Sequence, residues 1–314
     1  MHNEKYDISP VSSAELNDIS DFIAVENENE SMSSSYLSWW YFQNPFKSWS
    51  FFKILLNENI CGISTTNNFM FNYNGSPVKV AMPQKVLIAK AMRGKGLFSK
   101  VYFASEKYNL SEGIDFFLTF TNTASTTIFI DKFKYSEGIA PKLYFIPSYP
   151  IHFFCSYKVK VVDDFNNRFF RDKLIETKNS ILKDLKNFQW RYLANNPNQY
   201  IILELKLNGG IIGYAILKEI TKIGLKFALL MDLIVDNSSQ VGPIIKETRI
   251  WASKKYFAGL IVLENELYNN AINVCLKINT RKRLNFLVKG TDIHRRENLA
   301  SDKFNFFLGD LDFL

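Results

Sequence analysis

A basic turn that carries two glycines is the part of this sequence whose residue types could do chemistry. Arg93-Gly94-Lys95-Gly96 follows an apolar run that ends at Leu87-Ile88-Ala89, and it precedes Leu97-Phe98-Ser99, where apolar residues begin to recur at helical spacing. The pattern predicts a strand, a loop and a helix. Glycines let the backbone come close to a ligand, and the first N–H groups of a helix have no partner inside the helix. The turn is therefore a candidate phosphate site, to which Arg93 and Lys95 add positive charge.

Two common phosphate-binding loops do not fit this turn. The dinucleotide fingerprint needs three glycines at fixed offsets, and the nucleoside triphosphate loop needs Gly-Lys followed at once by Ser or Thr. Here Lys95 is followed by Gly96, and the nearest hydroxyl belongs to Ser99. The sequence thus predicts a phosphate ligand of another class.

The same stretch resembles the acyl-coenzyme-A loop of the GNAT superfamily of N-acetyltransferases. The pattern of that loop is Gln or Arg, two residues, Gly, one residue, then Gly or Ala. Arg93 takes the first position, Gly96 takes the first glycine, and Phe98 stands where Gly or Ala is expected. The resemblance implies that residues 93–98, from Arg93 through Gly94, Lys95, Gly96 and Leu97 to Phe98, hold the phosphates of acetyl-coenzyme A.

The resemblance also implies how the rest of the coenzyme is held. In the family, the strand before the loop offers backbone N–H groups to the thioester carbonyl and the pantetheine arm, and Leu87, Ile88 and Ala89 stand at those positions. Asn122 follows the next strand and corresponds to a polar residue that contacts pantetheine, with Ser125 beside it. The alternative for Asn122 is a helix N-cap, shared with Thr123 and Ser125.

The acid and base of acyl transfer are harder to place. The tyrosine that protonates the thiolate in the family corresponds to Ile130 in this chain, so Thr126, a water molecule or the second half of the chain would have to replace it. His152 is a candidate base, located where the first half of the chain joins the second. Its alternative is a hydrogen-bonded histidine in a linker.

An internal repeat predicts two domains. An aromatic segment that ends in proline, Trp39 to Pro45, is followed by a hairpin, and Trp190 to Pro197 is followed by another. We therefore expect an α/β (α+β) fold of two GNAT-like domains in tandem, residues 1–155 and 156–314, each with a mixed, largely antiparallel sheet flanked by helices. The second copy has Pro243 and no basic residue at its turn, so we expect it to shape the acceptor site instead of binding coenzyme.

Composition narrows the class of protein. Of 314 residues, 47% are hydrophobic and 15% are aromatic, which indicates packed globular domains. The net charge of +7 is spread along the chain, so it favours a phosphate-bearing ligand over nucleic acid. The three cysteines show neither zinc nor disulfide spacing, and no signal-like or bilayer-length apolar run occurs. We expect a cytoplasmic protein without metal and without membrane insertion.

The resemblance as a whole implies an N-acyltransferase that uses acetyl-coenzyme A. The acceptor it implies is the amine of a small molecule, an amino sugar linked to a nucleotide or a lipid, in the synthesis of bacterial surface polysaccharide. Two alternatives stay open: a Fem-type aminoacyltransferase that uses aminoacyl-tRNA, and a coenzyme-binding protein without catalytic activity. The oligomeric state is also open.

Overall fold

The computed structural model describes residues 6–27, 32–148, 157–171, 174, 177–194, 200–273, 275–280, 282, 284–291 and 299–311. Its strands, in chain order, are β1 (Tyr6–Pro10), β2 (Trp49–Leu56), β3 (Asn59–Tyr73), β4 (Ser76–Ile88), β5 (Phe116–Thr121), β6 (Ser136–Glu137), β7 (Leu143–Pro147), β8 (Tyr157–Val162), β9 (Ser180–Ile181), β10 (Tyr200–Leu207), β11 (Gly210–Lys222), β12 (Leu225–Val235), β13 (Gly259–Leu263), β14 (Ile278–Asn279) and β15 (Asn285–Gly290). Its α-helices are α1 (Leu16–Glu26), α2 (Ser34–Leu37), α3 (Leu97–Ser111), α4 (Thr123–Asp131), α5 (Leu185–Tyr192), α6 (Val241–Lys254) and α7 (Asn269–Asn273).

The chain divides into two compact units, and each takes in residues from both halves of the sequence. The first unit contains Met1–Phe71, Ser76–Ile139 and Asn285–Lys303. The second contains Asn72–Gly75, Ala140–Leu284 and Phe304–Leu314. Apart from residues 72–75, the first unit thus takes in residues 1–139, whereas the boundary expected from the sequence was after residue 155.

The sheet of the first unit is mixed and largely antiparallel. Its strand order is β1-β2-β3-β4-β5-β15-β6, and β4 runs parallel to β5. Helix α3 covers one face, where Leu97 and Val101 pack with Ile54, Cys61 and Ile88. Burial of these side chains removes apolar area from water and fixes the helix, and therefore its first turn, against the sheet.

The second unit repeats this arrangement with its own residues. Its strand order is β14-β7-β13-β12-β11-β10-β8, and β12 runs parallel to β13 while the other pairs are antiparallel. Helix α6 packs on the sheet through Ile244 and Ile245, which share one apolar cluster with Leu203, Leu230 and Leu260. The order of elements is thus the same in both units: three antiparallel strands, a helix, and a strand parallel to the third.

Each unit completes its sheet with a strand from the other half of the chain. In the first unit β15 lies antiparallel to β5, and in the second β7 lies antiparallel to β13. The predicted fold class, two GNAT-like domains that each hold a mixed, largely antiparallel sheet flanked by helices, is confirmed.

A buried group of charges fastens the C-terminal segment into the second unit. Lys183 Nζ lies 2.7 Å from a carboxylate oxygen of Asp232 and 2.5 Å from one of Asp310. The Tyr192 hydroxyl donates to Asp232 at 2.8 Å, and Asp310 accepts the N–H of Phe307 at 2.8 Å. Burial raises the pKa of Asp232 to about 6, against the opposing effect of Lys183. Together these bonds join three separate segments of the chain around a cavity of about 50 Å³.

Candidate functional site

The central feature of the first unit is the divergence of β4 from β5. The paired register covers only Val80 with Phe116 and Ala81 with Phe117, although β4 continues to Ile88. Pro83 has no N–H to donate at this point, and the hydroxyl of Thr119 on β5 donates to the Pro83 carbonyl at 2.8 Å. A side chain therefore takes the place of a main-chain bond, and the edge of β4 beyond Pro83 is left unpaired on the β5 side.

A local irregularity in β4 goes with this divergence. Ala81 and Val86 are five residues apart, yet both pack against the apolar cluster that contains Tyr102. Because side chains alternate along a regular strand, this odd spacing requires a bulge between them. Thr65 supports the bulge, since its hydroxyl accepts the Lys85 N–H at 3.1 Å and donates to the Lys85 carbonyl at 3.3 Å. The bulge sets the direction in which the last residues of β4 present their amides.

Only one of the three strand residues expected to meet the thioester presents its amide to the unpaired side. Ala89 donates its N–H to the carbonyl of Cys61 on β3 at 2.9 Å, so this amide is not available to a ligand. Amides alternate in direction along a strand, so Leu87 also points its N–H towards β3 and Ile88 points its N–H away from it. The Ile88 carbonyl accepts Arg93 Nε at 3.2 Å, which agrees with this orientation.

The glycine turn has the geometry that phosphate binding needs. Gly94 has φ of 80° and Gly96 has φ of 75°, the left-handed region that favours glycine. Gly96 precedes the first residue of α3 and offers no side-chain cap, and the first bond of the helix runs from Lys100 N–H to the Gly96 carbonyl at 3.3 Å. Within the described chain, the N–H groups of Gly94, Gly96, Leu97 and Phe98 meet no acceptor.

The turn is also open to solvent. Both glycines are exposed, and a Cβ placed on either would meet no atom within 4 Å. The Phe98 ring stacks on Phe133 with ring centres 5.7 Å apart, so this large side chain is accommodated in the core of the unit while its amide stays at the turn. Unbonded amides, a helix N-terminus and two exposed cations together fit a diphosphate.

Asn122 is the N-cap of α4, which is one of the two roles expected for it from the sequence. Its side-chain oxygen accepts the Ser125 N–H at 2.9 Å and lies 3.0 Å from the Ser125 hydroxyl. Its side-chain NH₂ is exposed and meets no acceptor among the described residues, so a contact with pantetheine remains a prediction. The Thr126 hydroxyl donates to the Asn122 carbonyl at 2.8 Å, which occupies the only proton that this group could give to a thiolate.

The two roles of Asn122 can be separated by substitution. Asn122→Ser keeps a capping oxygen and removes the NH₂, so we expect the stability of the protein to change little and the affinity for acetyl-coenzyme A to fall several-fold. Asn122→Ala should lower the free energy of unfolding by about 1 kcal/mol because the cap is lost. Urea denaturation and calorimetric titration of both variants measure the two effects. Equal coenzyme affinity in Asn122→Ser and the natural protein would leave Asn122 with the capping role alone.

The described residues give no further support to the acid and base expected from the sequence. His152 lies outside the described residues. Tyr102 and Tyr135 pair through their hydroxyls at 2.8 Å in the core, and burial raises the pKa of each well above its ordinary value. This makes both weaker proton donors, so neither is suited to protonate a thiolate. No group of three potential metal ligands occurs in the described part of the chain.

The corresponding turn of the second unit has a different geometry. Asn237 caps Ser239 through its side chain, and α6 begins with Val241, Gly242 and Pro243. Gly242 does not adopt the left-handed conformation of Gly94 and Gly96, and Pro243 has no N–H. Of the two turns, the first therefore has the amides that a phosphate needs.

Three residues that shape β4 where it leaves β5 were not candidates from the sequence. Pro83 lacks an N–H, Thr119 bonds to the Pro83 carbonyl, and Thr65 bonds to both backbone groups of Lys85. The proline just before the strand that leads to the glycine turn was the available signal, because proline removes a ladder bond.

Comparison with solved structures shows the same architecture. A GCN5-related N-acetyltransferase from Anabaena variabilis matches with a TM-score of 0.70 and 11% identity, over 92% of this chain and 74% of that chain. One from Kribbella flavida matches with a TM-score of 0.64 and 10% identity, over 92% and 71%. The fold is GNAT-like. Saccharomyces cerevisiae N-myristoyltransferase with bound myristoyl-CoA matches with a TM-score of 0.57 and 10% identity, over 97% and 90%.

The GNAT-like fold agrees with the resemblance seen in residues 93–98. At these identities the likeness concerns the fold alone. The sequence matches no protein-family model and no curated protein. None of the described helices combines the length and the apolar character needed to cross a bilayer.

Proposed function

We propose that the first unit binds an acyl-coenzyme A, with acetyl-coenzyme A as the donor, and that the protein transfers the acyl group to an amine. The observation that carries this proposal is the turn before α3, where Gly94 and Gly96 direct unbonded amides into solvent. It lies directly after the strand that diverges from its neighbour, so a chain that extends from the phosphates has a free strand edge beside it. The GNAT-like fold supports the same class of donor.

The residues of the first unit have separate tasks in this proposal. The amides of Gly94, Gly96, Leu97 and Phe98 bind the diphosphate, and Arg93 and Lys95 add charge. Ile88 donates its N–H to the thioester carbonyl, where an aligned donor stabilises the negative charge that develops on oxygen during attack. The coenzyme, when bound, supplies the activated acyl group. The amine must lose a proton, and His152 remains a proposal for that base.

The acceptor we propose is the amine of an amino sugar carried on a nucleotide or a lipid phosphate, in surface polysaccharide synthesis. The net charge of +7 favours a substrate that bears phosphate. The second unit, whose own turn lacks the amides for a diphosphate, is proposed to shape the acceptor site.

Release of free thiol tests this function directly. Purified protein is mixed with acetyl-coenzyme A and a panel of free, nucleotide-linked and lipid-linked amino sugars, and the thiol is measured with a chromogenic disulfide. We expect one acceptor class to raise thiol release well above the rate without acceptor. Binding of acetyl-coenzyme A without release for any amine would favour a non-catalytic coenzyme-binding protein. Failure to bind it would contradict the proposal and favour the aminoacyl-tRNA alternative.

A further inference from the structure

One hairpin turn of the second unit carries an unexpected residue. Four two-residue turns of the described chain have both central residues in the left-handed conformation: Asn57-Glu58, Asn74-Gly75, Asn208-Gly209 and Ile223-Gly224. Asparagine is favoured at the first position of such turns, whereas a β-branched residue is strained there. Ile223 nevertheless has φ of 53°, and its side chain is fully exposed at 101%. Since this side chain gains no burial in the fold, packing does not explain its presence.

Tyr256 is a second exposed apolar residue with a strained, left-handed backbone conformation. Tyr256 follows the C-cap of α6 with φ of 61°, at a position where glycine or asparagine is usual, and it is 90% exposed. The Lys226 carbonyl accepts the N–H of Ala258 at 2.8 Å, so the start of β12 and the segment after α6 lie side by side. Leu225, 55% exposed, belongs to the same end of the sheet. We call Ile223, Leu225 and Tyr256 the apolar tip.

Positive charge surrounds the apolar tip. Residues 219–227 and 252–258 contain four lysines and one carboxylate, that of Glu219. The lysines are all exposed: Lys222, Lys226, Lys254 and Lys255. Glu219 pairs with Lys226 at 2.8 Å, and the pair is exposed on both sides. The tip therefore combines protruding apolar side chains with a net positive rim.

We propose that the apolar tip docks the protein onto the surface of an anionic phospholipid bilayer. Exposed apolar and aromatic side chains enter the boundary between headgroups and acyl chains, and lysines around them are attracted to anionic headgroups. Lysine is depleted at protein interfaces, which makes a folded protein partner a poorer match for this rim. The contact is confined to the bilayer surface and needs no spanning segment. It goes beyond the proposed transferase function and does not depend on it.

Vesicle co-sedimentation without any acyl-coenzyme A tests the proposal. We expect the protein to sediment with vesicles of phosphatidylcholine and phosphatidylglycerol, to stay in solution with phosphatidylcholine alone, and to be released by high salt. Replacing one lysine, Lys254→Gln, should weaken binding about fivefold.

The double variant Ile223→Asn, Tyr256→Asn should weaken binding at least tenfold. Its thermal unfolding temperature should stay the same or rise, because asparagine is favoured at both positions. Val25→Asn is the matched control, since it removes another exposed apolar side chain, 69% exposed, in the first unit. It should leave vesicle binding unchanged.

Three results would overturn the proposal. The natural protein does not sediment with the anionic vesicles, or the double variant binds them as well as the natural protein does. In the third, light scattering shows a dimer that the double variant converts to a monomer, which would make the tip a contact between two copies of this chain.

Discussion

Gly96→Val is expected to weaken the binding of acetyl-coenzyme A at least a hundredfold. Gly96 has φ of 75°, and a β-branched residue there is strained by about 1–2 kcal/mol. The backbone would have to rotate to relieve that strain, which turns the amides of residues 96 and 97 away from the phosphates. Each charge-assisted hydrogen bond contributes about 1.5–3 kcal/mol, so the loss of two accounts for the expected change in affinity. Calorimetric titration measures it.

Gly113→Val is the matched control for this variant. Gly113 lies beyond the other end of α3 with φ of 77°, and a Cβ there also meets no atom within 4 Å. The substitution therefore imposes the same backbone strain away from the turn. We expect a similar loss of stability in both variants, with coenzyme binding lost only in Gly96→Val. If both variants bind acetyl-coenzyme A like the natural protein, the phosphate site does not lie at this turn.

Lys183→Met should lower the free energy of unfolding by about 3–5 kcal/mol. The substitution leaves two buried carboxylates, Asp232 and Asp310, without the cation that lies 2.7 Å from one and 2.5 Å from the other. An uncompensated buried charge is far more costly than a missing apolar contact. Urea denaturation, followed by the fluorescence of tryptophan, measures the change.

Lys226→Met provides the comparison in the same unit. It removes the same charge from a pair with Glu219 that is 2.8 Å long and exposed, so it should cost less than about 1 kcal/mol. Adding Asp232→Asn to Lys183→Met should restore part of the lost stability, because it removes one of the two stranded charges. If Lys183→Met and Lys226→Met are equally stable, the buried group does not stabilise the second unit.

These predictions separate two kinds of residue. Gly96 is exposed and makes no contact that the fold requires, so its expected effect is on binding. The side chain of Lys183 is 16% exposed, pairs with two buried carboxylates and joins parts of the chain that are distant in sequence, so its expected effect is on stability.

The glycine turn before α3 was predictable because its determinants are local. A dozen consecutive residues contain the end of an apolar strand, two glycines that can adopt positive φ and the start of an amphipathic helix. Each of these features follows from the conformational preferences of the residues that form it. The same holds for the cap at Asn122, where the capping oxygen and the helix N–H are three residues apart. The repeat of hairpin and helix was also visible in the order of residue types. These features follow from the sequence by itself.

The choice among Leu87, Ile88 and Ala89 was decided by the tertiary structure. Which amide faces a ligand depends on how β4 is aligned with β3, and a shift of one residue would reverse it. The bond from Ala89 to Cys61 sets that alignment, and the bulge at Thr65 and Lys85 adjusts it. None of these contacts can be read from residue types near the turn.

Long-range pairing likewise decided the composition of the two units. β15 joins the sheet of the first half and β7 joins that of the second, although the order of elements along the chain is compatible with two separate halves. The group of Lys183, Asp232 and Asp310 also depends on long-range contacts, because three distant segments must meet before the charges can pair. Local propensity thus determined the elements and the turn that could bind a phosphate. Strand pairing and burial, which depend on contacts between distant residues, determined which amides stay free and which charges are buried.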